Sequence, residues 1–135
     1  MEEYTKPLPI RDERSAPFFD GLLDGELRLQ HCLACDQWMW PVTLRCRHCL
    51  SDQLEWKASA GKGTLYSFAL VHQIYHPGFA DEIPYNVAFV DLDEGVRVTT
   101  NIVGTPNDEL AIGSRVELAT ELVTHDMALA KFRVV

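Results

Sequence analysis

Four cysteines fall close together, as Cys32-x-x-Cys35 and Cys46-x-x-Cys49. Each C-x-x-C knuckle turns two thiolates toward one point, and two such knuckles fill the coordination shell of a tetrahedral soft-metal site. The segment between them, residues 36–45, is shorter than the ~15–20 residues of the common template but long enough for a strand out and back. That is the pattern of a zinc ribbon or rubredoxin-like knuckle pair. Other uses of four thiols fit less well. Disulfides belong to oxidising compartments, and nothing here indicates secretion. A thioredoxin-like redox pair explains one C-x-x-C and needs a βαβ setting that is missing. A ribbon that has lost its metal would keep the thiols only as packing groups. The expectation is one structural zinc per chain, held by Cys32, Cys35, Cys46 and Cys49, in a closed shell that does no catalysis. His31 and His48 flank these ligands and are surplus to them, although His48 lies inside the second knuckle where it could replace a cysteine.

No second constellation supplies a nucleophile with its base. His72, His76 and His125 have no nucleophile elbow beside them. Asp91, Asp93 and Glu94 resemble a cation site, but Asp-Glu-Gly after a strand is first a hairpin turn. Gly61-Lys-Gly63 is too short to cradle phosphates. No catalytic residue is therefore assigned. The most unusual loop, residues 72–84, places His76, Pro77 and Phe79 at the end of a long strand. It reads either as a rigid connector whose Phe79 covers a barrel mouth or as a contact surface for a ligand or partner.

These groups need elements to hold them. Residues 1–14 are polar and mixed in charge and read as extended or poorly ordered. Residues 15–25 read as a short helix, capped by Ser15, with Pro17 in its first turn and Gly25 ending it. Its Phe18, Phe19, Leu22 and Leu23 have helical spacing and serve either to pack the helix or to dock it on another protein. Residues 26–31 alternate as a strand into the first knuckle, Trp38 to Trp40 leaves it, and 54–58 closes the ribbon. Gly61-Lys-Gly63 reads as a hinge. Strands then follow at 64–75, 84–92, 96–103, 115–123 and 128–134, with one helical turn in the 104–113 connector. The division is 1–30 for the helical segment and lead-in strand, 31–57 for the ribbon and 58–135 for a five-stranded domain. The long two-sided first strand and the extended third-to-fourth connection fit an OB-type Greek-key barrel; periodicity alone also allows a sandwich.

Charge narrows the function classes. The 135 residues carry 12 Lys and Arg against 20 Asp and Glu, a formal net charge of -8. Residues 1–30 are net acidic, 31–57 balanced and 58–135 net acidic, so no basic segment is hidden in the average. A nucleic-acid surface needs clustered Lys and Arg to displace counterions from phosphates, which counts against the partner an OB barrel first suggests. With 47% hydrophobic residues the chain is globular. It has no apolar run of the ~20 residues a membrane helix requires. Its start, Met1-Glu-Glu-Tyr, lacks the pattern of a secretory signal, and the cytoplasm is the expected address.

The motifs in their order are Phe18-Phe-Asp-Gly-Leu, Gly25-Glu-Leu-Arg-Leu-Gln, the two knuckles, Trp40-Pro41, Leu54-Glu-Trp56, Gly61-Lys-Gly-Thr-Leu-Tyr-Ser67, His76-Pro-Gly-Phe79, Pro84-Tyr, Leu92-Asp-Glu-Gly95 and Ile112-Gly113. In that order the chain resembles the DUF35 family of OB-fold proteins with a rubredoxin-like zinc ribbon, over residues 15–135. Asp36 departs from it, standing where the family often has Gly, and Thr43 stands where a Pro-x-Arg is common. The resemblance implies a non-catalytic accessory subunit that binds and stabilises a thiolase-fold acyl-CoA enzyme, whether thiolase, acyltransferase or side-chain aldolase, and helps shape its acyl-CoA site. It implies a thiolase-like catalytic subunit as partner, with acyl-CoA reached through that partner. The contrasting reading is an OB-fold nucleic-acid-binding module. Candidate contacts to the partner or to acyl-CoA are Phe18, Phe19, Tyr75, His76, Pro77, Phe79 and Tyr85. The acidity of the barrel half opposes independent binding of the multiply anionic CoA, so the partner is expected to supply the phosphate pocket.

Overall fold

A computed structural model describes residues 4–135. The first three residues of the extended N-terminal stretch, with the leader reading made on them, lie outside the described residues. One helix, α1 (Ala16–Leu23), precedes nine strands: β1 (Leu27–Cys32), β2 (Trp38–Met39), β3 (Leu54–Ser59), β4 (Lys62–Val71), β5 (Tyr85–Leu92), β6 (Arg97–Thr100), β7 (Ile102–Val103), β8 (Arg115–Thr124) and β9 (Met127–Val134). Strands β2-β1-β3 form one antiparallel sheet. The others form a second sheet in the order β6-β5-β4-β8-β9-β7. Because β6 and β7 are consecutive in the chain, that order closes on itself. Every contact around the ring is antiparallel except β7 with β9. The result is the mainly β fold expected: a short helix, a ribbon, and a five-stranded OB barrel whose third strand is broken in two. The sandwich alternative is set aside.

The break has a local cause. The buried Asn86 of β5 accepts the Ile102 N–H through Oδ1 at 2.6 Å and donates through Nδ2 to the Ile102 carbonyl at 2.9 Å. Asn101 donates in turn to the Asn86 carbonyl. An asparagine side chain thus takes the place of a strand partner, and the chain crosses from β5 to β9 at Asn101. Three other expectations are corrected. Ser15 makes no side-chain cap; Asp12 accepts from the N–H groups of Arg14 and Ser15 instead, because the chain already turns there. Strand β4 starts at Lys62, since Lys62 and Gly63 pair with β8, so only Gly61 (φ 70°) remains of the hinge. The same strand ends at Val71 and not at residue 75.

One apolar core joins the parts. Phe19 and Leu22 of α1, Leu27 and Leu29 of β1, and barrel residues such as Leu65, Val90, Val116 and Phe132 are buried in a single cluster. The ribbon has only a small core of its own, Cys32, Met39 and Cys46. Its lead-in strand β1 is paired along its length with β3, so the ribbon sheet takes in residues 27–59. Gly63 cannot be replaced without moving β5, because a Cβ there would meet the Asp91 carbonyl. The carboxylates at the end of β5 and in the turn after it are each engaged: Asp91 with Arg97 at 2.6 Å and Asp93 with Arg115 at 2.8 Å. Glu94 accepts from the Ser59 hydroxyl and the Ala60 N–H, both at 2.8 Å, and so ties the barrel to the end of the ribbon.

Phe132, fully buried, pairs with Ile102 across the parallel closure and with Leu118 on the other side. Phe132→Ala should therefore cost about 3–5 kcal/mol, from lost burial plus the cavity left behind. Urea unfolding would register this as a lower midpoint at unchanged m-value; a loss below about 1 kcal/mol would mean the seam does not hold the barrel.

Candidate metal centre

The two knuckles are built alike. The first cysteine of each is fixed through its backbone: Cys32 N–H donates to the Gln37 carbonyl and Cys46 N–H to the Ser51 carbonyl, both at 2.8 Å. The residue after each second cysteine bonds back to the first, Asp36 N–H to Cys32 O at 2.9 Å and Leu50 N–H to Cys46 O at 3.0 Å. Closing such a turn puts that residue in the left-handed region, at φ 64° for Asp36 and 65° for Leu50. The position usually favours glycine; Asp tolerates it, and Leu pays the Cβ clash.

The four sulfurs converge, all lying within 4.8 Å of one another. Cys32 Sγ stands 3.6 Å from Cys49 Sγ, and Cys35 Sγ 3.5 Å from Cys46 Sγ. Four sulfurs held at about 2.3 Å around a tetrahedral ion sit roughly 3.8 Å apart, so the donor set fits a soft divalent metal with little movement. These are free thiols and not disulfides. Neither imidazole joins them. His31 is buried with its ring nitrogens against Glu55 (3.0 Å) and Asp36. His48 contributes its backbone N–H to Cys46 Sγ at 3.3 Å, and the Cys49 N–H does the same at 3.4 Å.

Without metal, Cys35, Cys46 and Cys49 titrate differently from one another. Burial pushes Cys35 up to about 12. Burial also opposes ionisation of Cys46, but the N–H groups of Cys49 and His48 outweigh it and bring that thiol down to about 6. At Cys49 the Ser51 backbone favours the thiolate, yet burial and the Cys32 sulfur prevail and raise it. At neutral pH a metal would thus meet the Cys46 thiolate ready and displace protons from Cys35 and Cys49.

Sequence reasoning missed the side chains that hold the ribbon's loop in place. Gln30 of β1 is buried and binds Thr43 twice, Nε2 to the carbonyl and Oε1 to the N–H, each at 2.8 Å. Arg47 donates to the carbonyls of Trp40 (2.8 Å) and Pro41 (3.1 Å), and Arg45 to that of Leu50 (3.2 Å). Alternation predicted Gln30 on the opposite face from its buried neighbours; the folded-over loop covers that face too.

The candidate contact residues do not form one patch. Phe19 is buried in the core, the packing role the sequence also allowed; Phe18, edge-on to it at 5.1 Å, is half-buried. Tyr75 is 74% exposed. His76 accepts the Gly78 N–H at 2.9 Å, shaping a single 3-10 turn over Pro77–Phe79. Phe79 lies against Tyr85 at 5.1 Å between ring centres. Of the seven, only Phe79 and Tyr85 line the cavity of about 280 Å³ at the barrel mouth, together with Asn86, Asn101 and Lys131.

Comparison with known proteins follows this division. Residues 19–55 match the family described as "ChsH2, rubredoxin-like zinc ribbon domain", and residues 56–121 that described as "ChsH2, C-terminal OB-fold domain". The chain is 35% identical, over 128 residues, to the "Probable enoyl-CoA hydratase alpha subunit" of Thermomonospora curvata. That alignment covers 95% of this chain and 40% of the relative, so the chain spans less than half the length of that protein. It is 34% identical over 96 residues to a "DUF35 domain-containing scaffold protein" of Methanothermobacter thermautotrophicus, covering 70% of this chain and 71% of that one. Among solved structures, one titled "Ltp2-ChsH2(DUF35) aldolase" superposes with a TM-score of 0.82 at 35% identity, covering 94% of this chain and 98% of that one.

Two outcomes test this centre. Leu50 is 71% exposed, so Leu50→Gly should relieve the left-handed strain and stabilise the metal-bound protein by roughly 1 kcal/mol, seen as a higher melting temperature. Because binding expels protons, metal affinity should fall about tenfold or more for each pH unit lowered between pH 8 and pH 6. Competition with a chelating dye measures it, and a pH-independent affinity would contradict the assignment.

Proposed function

The chain belongs to the DUF35 family, by its ribbon and its barrel alike, and from that premise we propose that it is a non-catalytic scaffold subunit of a thiolase-fold acyl-CoA enzyme. The observation that carries this reading is the likeness to the Ltp2-ChsH2(DUF35) aldolase, which extends over nearly all of that chain. The hydratase alpha-subunit relatives point to the same class of substrate, since their names place them in acyl-CoA chemistry. Among the described residues the only group of Cys, His, Asp and Glu side chains placed to share one metal ion is the four cysteines, and one ion would close their shell. In this reading the reacting groups belong to the partner.

The ion in this reading is Zn²⁺, one per chain, as suits four thiolates in a tetrahedron. It would supply folding free energy and no reaction chemistry. Cys32, Cys35, Cys46 and Cys49 would hold it. A zinc tetrathiolate adds about two negative charges to a chain that already carries -8. Of the twelve Lys and Arg, seven are already paired with carboxylates: Lys6, Arg11, Arg28, Arg97, Arg115, Lys131 and Arg133. Little positive charge is left for polyphosphate or nucleic acid, which supports a partner that carries the CoA phosphates. No helix of the described residues is long and apolar enough to cross a membrane. We place the complex in the cytoplasm.

The test is to purify the tagged chain from its own cells and identify what accompanies it. A thiolase-like subunit in stoichiometric amount is expected, while purification as a lone protein would contradict the reading. Titration of the isolated chain with CoA should show nothing tighter than roughly millimolar, about -4 kcal/mol. Micromolar affinity would overturn this division of labour.

A further inference from the structure

The outer edge of β4 loses its partner partway along. Lys62, Gly63 and Thr64 pair with β8, and Leu65 exchanges bonds with Ser114 and Gly113. Beyond that point no strand continues the pairing, because β8 begins at Arg115 opposite Thr64, while the inner edge of β4 stays paired with β5 as far as Val71 opposite Tyr85. A bulge between Leu65 and Ser67 marks the departure.

The alternation of hydrogen bonds shows which groups are left. Leu92 N–H donates to the Val96 carbonyl, so Leu92, Val90 and Ala88 direct their backbone groups toward β6. Phe89, Val87 and Tyr85 then face β4, opposite Ser67, Ala69 and Val71. Phe68 and Leu70 must direct their N–H and C=O groups outward. None of these four groups has a protein partner among the described residues, and Ala69 and Leu70 are exposed.

Natural edges of this kind are blunted with charge or proline. This one is not: residues 64–76 contain neither proline nor a charged Asp, Glu, Lys or Arg. Leu70, Ile74 and Tyr75 beside it are 38%, 51% and 74% exposed. The arm carrying the edge is already braced. Asn86 and Asn101 latch β5 to β7, Phe79 packs on Tyr85, and Lys6 pairs with Glu82 at 2.7 Å. An incoming segment would meet an ordered template, without the cost of ordering it.

Outward N–H and C=O groups on a strand are completed by another extended backbone. Charge selects its source. Two copies of this chain would bring together two bodies of net charge -8, which opposes self-pairing. We propose that the free edge of β4 at Phe68 and Leu70 is the docking site for an extended apolar segment, neutral or basic, of the catalytic subunit, which adds to the barrel sheet as a further strand. This rests on the reading of the chain as a subunit.

Hydrogen exchange on the purified complex and on the free chain tests it. Amides in peptides spanning residues 66–72 should exchange at least ~10-fold more slowly in the complex. Leu70→Pro removes an outward N–H without breaking the inward ladder, so the free variant should keep its metal and its melting temperature while binding the catalytic subunit at least ~10-fold more weakly. Leu70→Lys, which leaves the backbone intact, should weaken the complex in the same direction should the proline variant fail to fold. A complex that forms with this edge unprotected would overturn the docking site and leave the subunit reading standing. Protection that appears in the chain alone as concentration rises would overturn it in favour of a second copy. Absence of any thiolase-like subunit from the purified chain would sink both.

Discussion

Four sulfurs meeting at one point is the constraint on which the rest of the ribbon depends. Its own core amounts to Cys32, Met39 and Cys46, with Cys35 and Leu54 against them, far too little apolar surface to offset the entropy of ordering some thirty residues. The sulfurs are therefore both ligands and core. Strand β1 carries that constraint into the barrel: Leu27 and Leu29 are sealed in the main core, and Cys32, at the end of the same strand, sits in the metal centre. A shift of the knuckles is a shift of β1, and hence of α1 packed against it. Glu94 fixes the other end of the ribbon to the barrel through Ser59 and Ala60. Metal site, ribbon and barrel are mechanically one piece.

That rigidity suits a scaffold. Asp91, Asp93 and Glu94 each have a partner, and Asn86, Asn101 and Asn107 spend their amides on backbone and on one another. What remains open is backbone along β4 and apolar side chains around it. Those are the means by which a protein binds another protein, and they agree with a chain whose carboxylates outnumber its cations and whose cations are largely paired.

Much of this was legible in the sequence because it is set locally. Two C-x-x-C knuckles specify their own turn geometry, and left-handed Asp36 follows from the knuckle whatever residue occupies the position. Alternation located most strands, and Gly25, at φ 78°, ended the helix as read. The misses are cases where a distant residue decides. The third barrel strand looks continuous until Asn86, fifteen residues upstream of Asn101, takes over its hydrogen bonding. Strand β4 has β-forming residues past Val71, but its ladder ends where β5 begins. Phe19 and Phe18 are equally hydrophobic neighbours, and only the packing of α1 on β1 and β9 decides that Phe19 is buried while Phe18 stays half-open. Gln30 reads as a solvent-facing strand residue until the loop at Thr43 folds over it.

The central claim is that a four-sulfur metal centre organises this subunit. X-ray absorption at the metal edge of the protein, purified without added metal, tests it most directly. The account predicts a zinc edge with four sulfur scatterers at about 2.3 Å and no nitrogen or oxygen in the first shell. A shell containing imidazole or water oxygen, or thiols without metal in a folded ribbon, would contradict it.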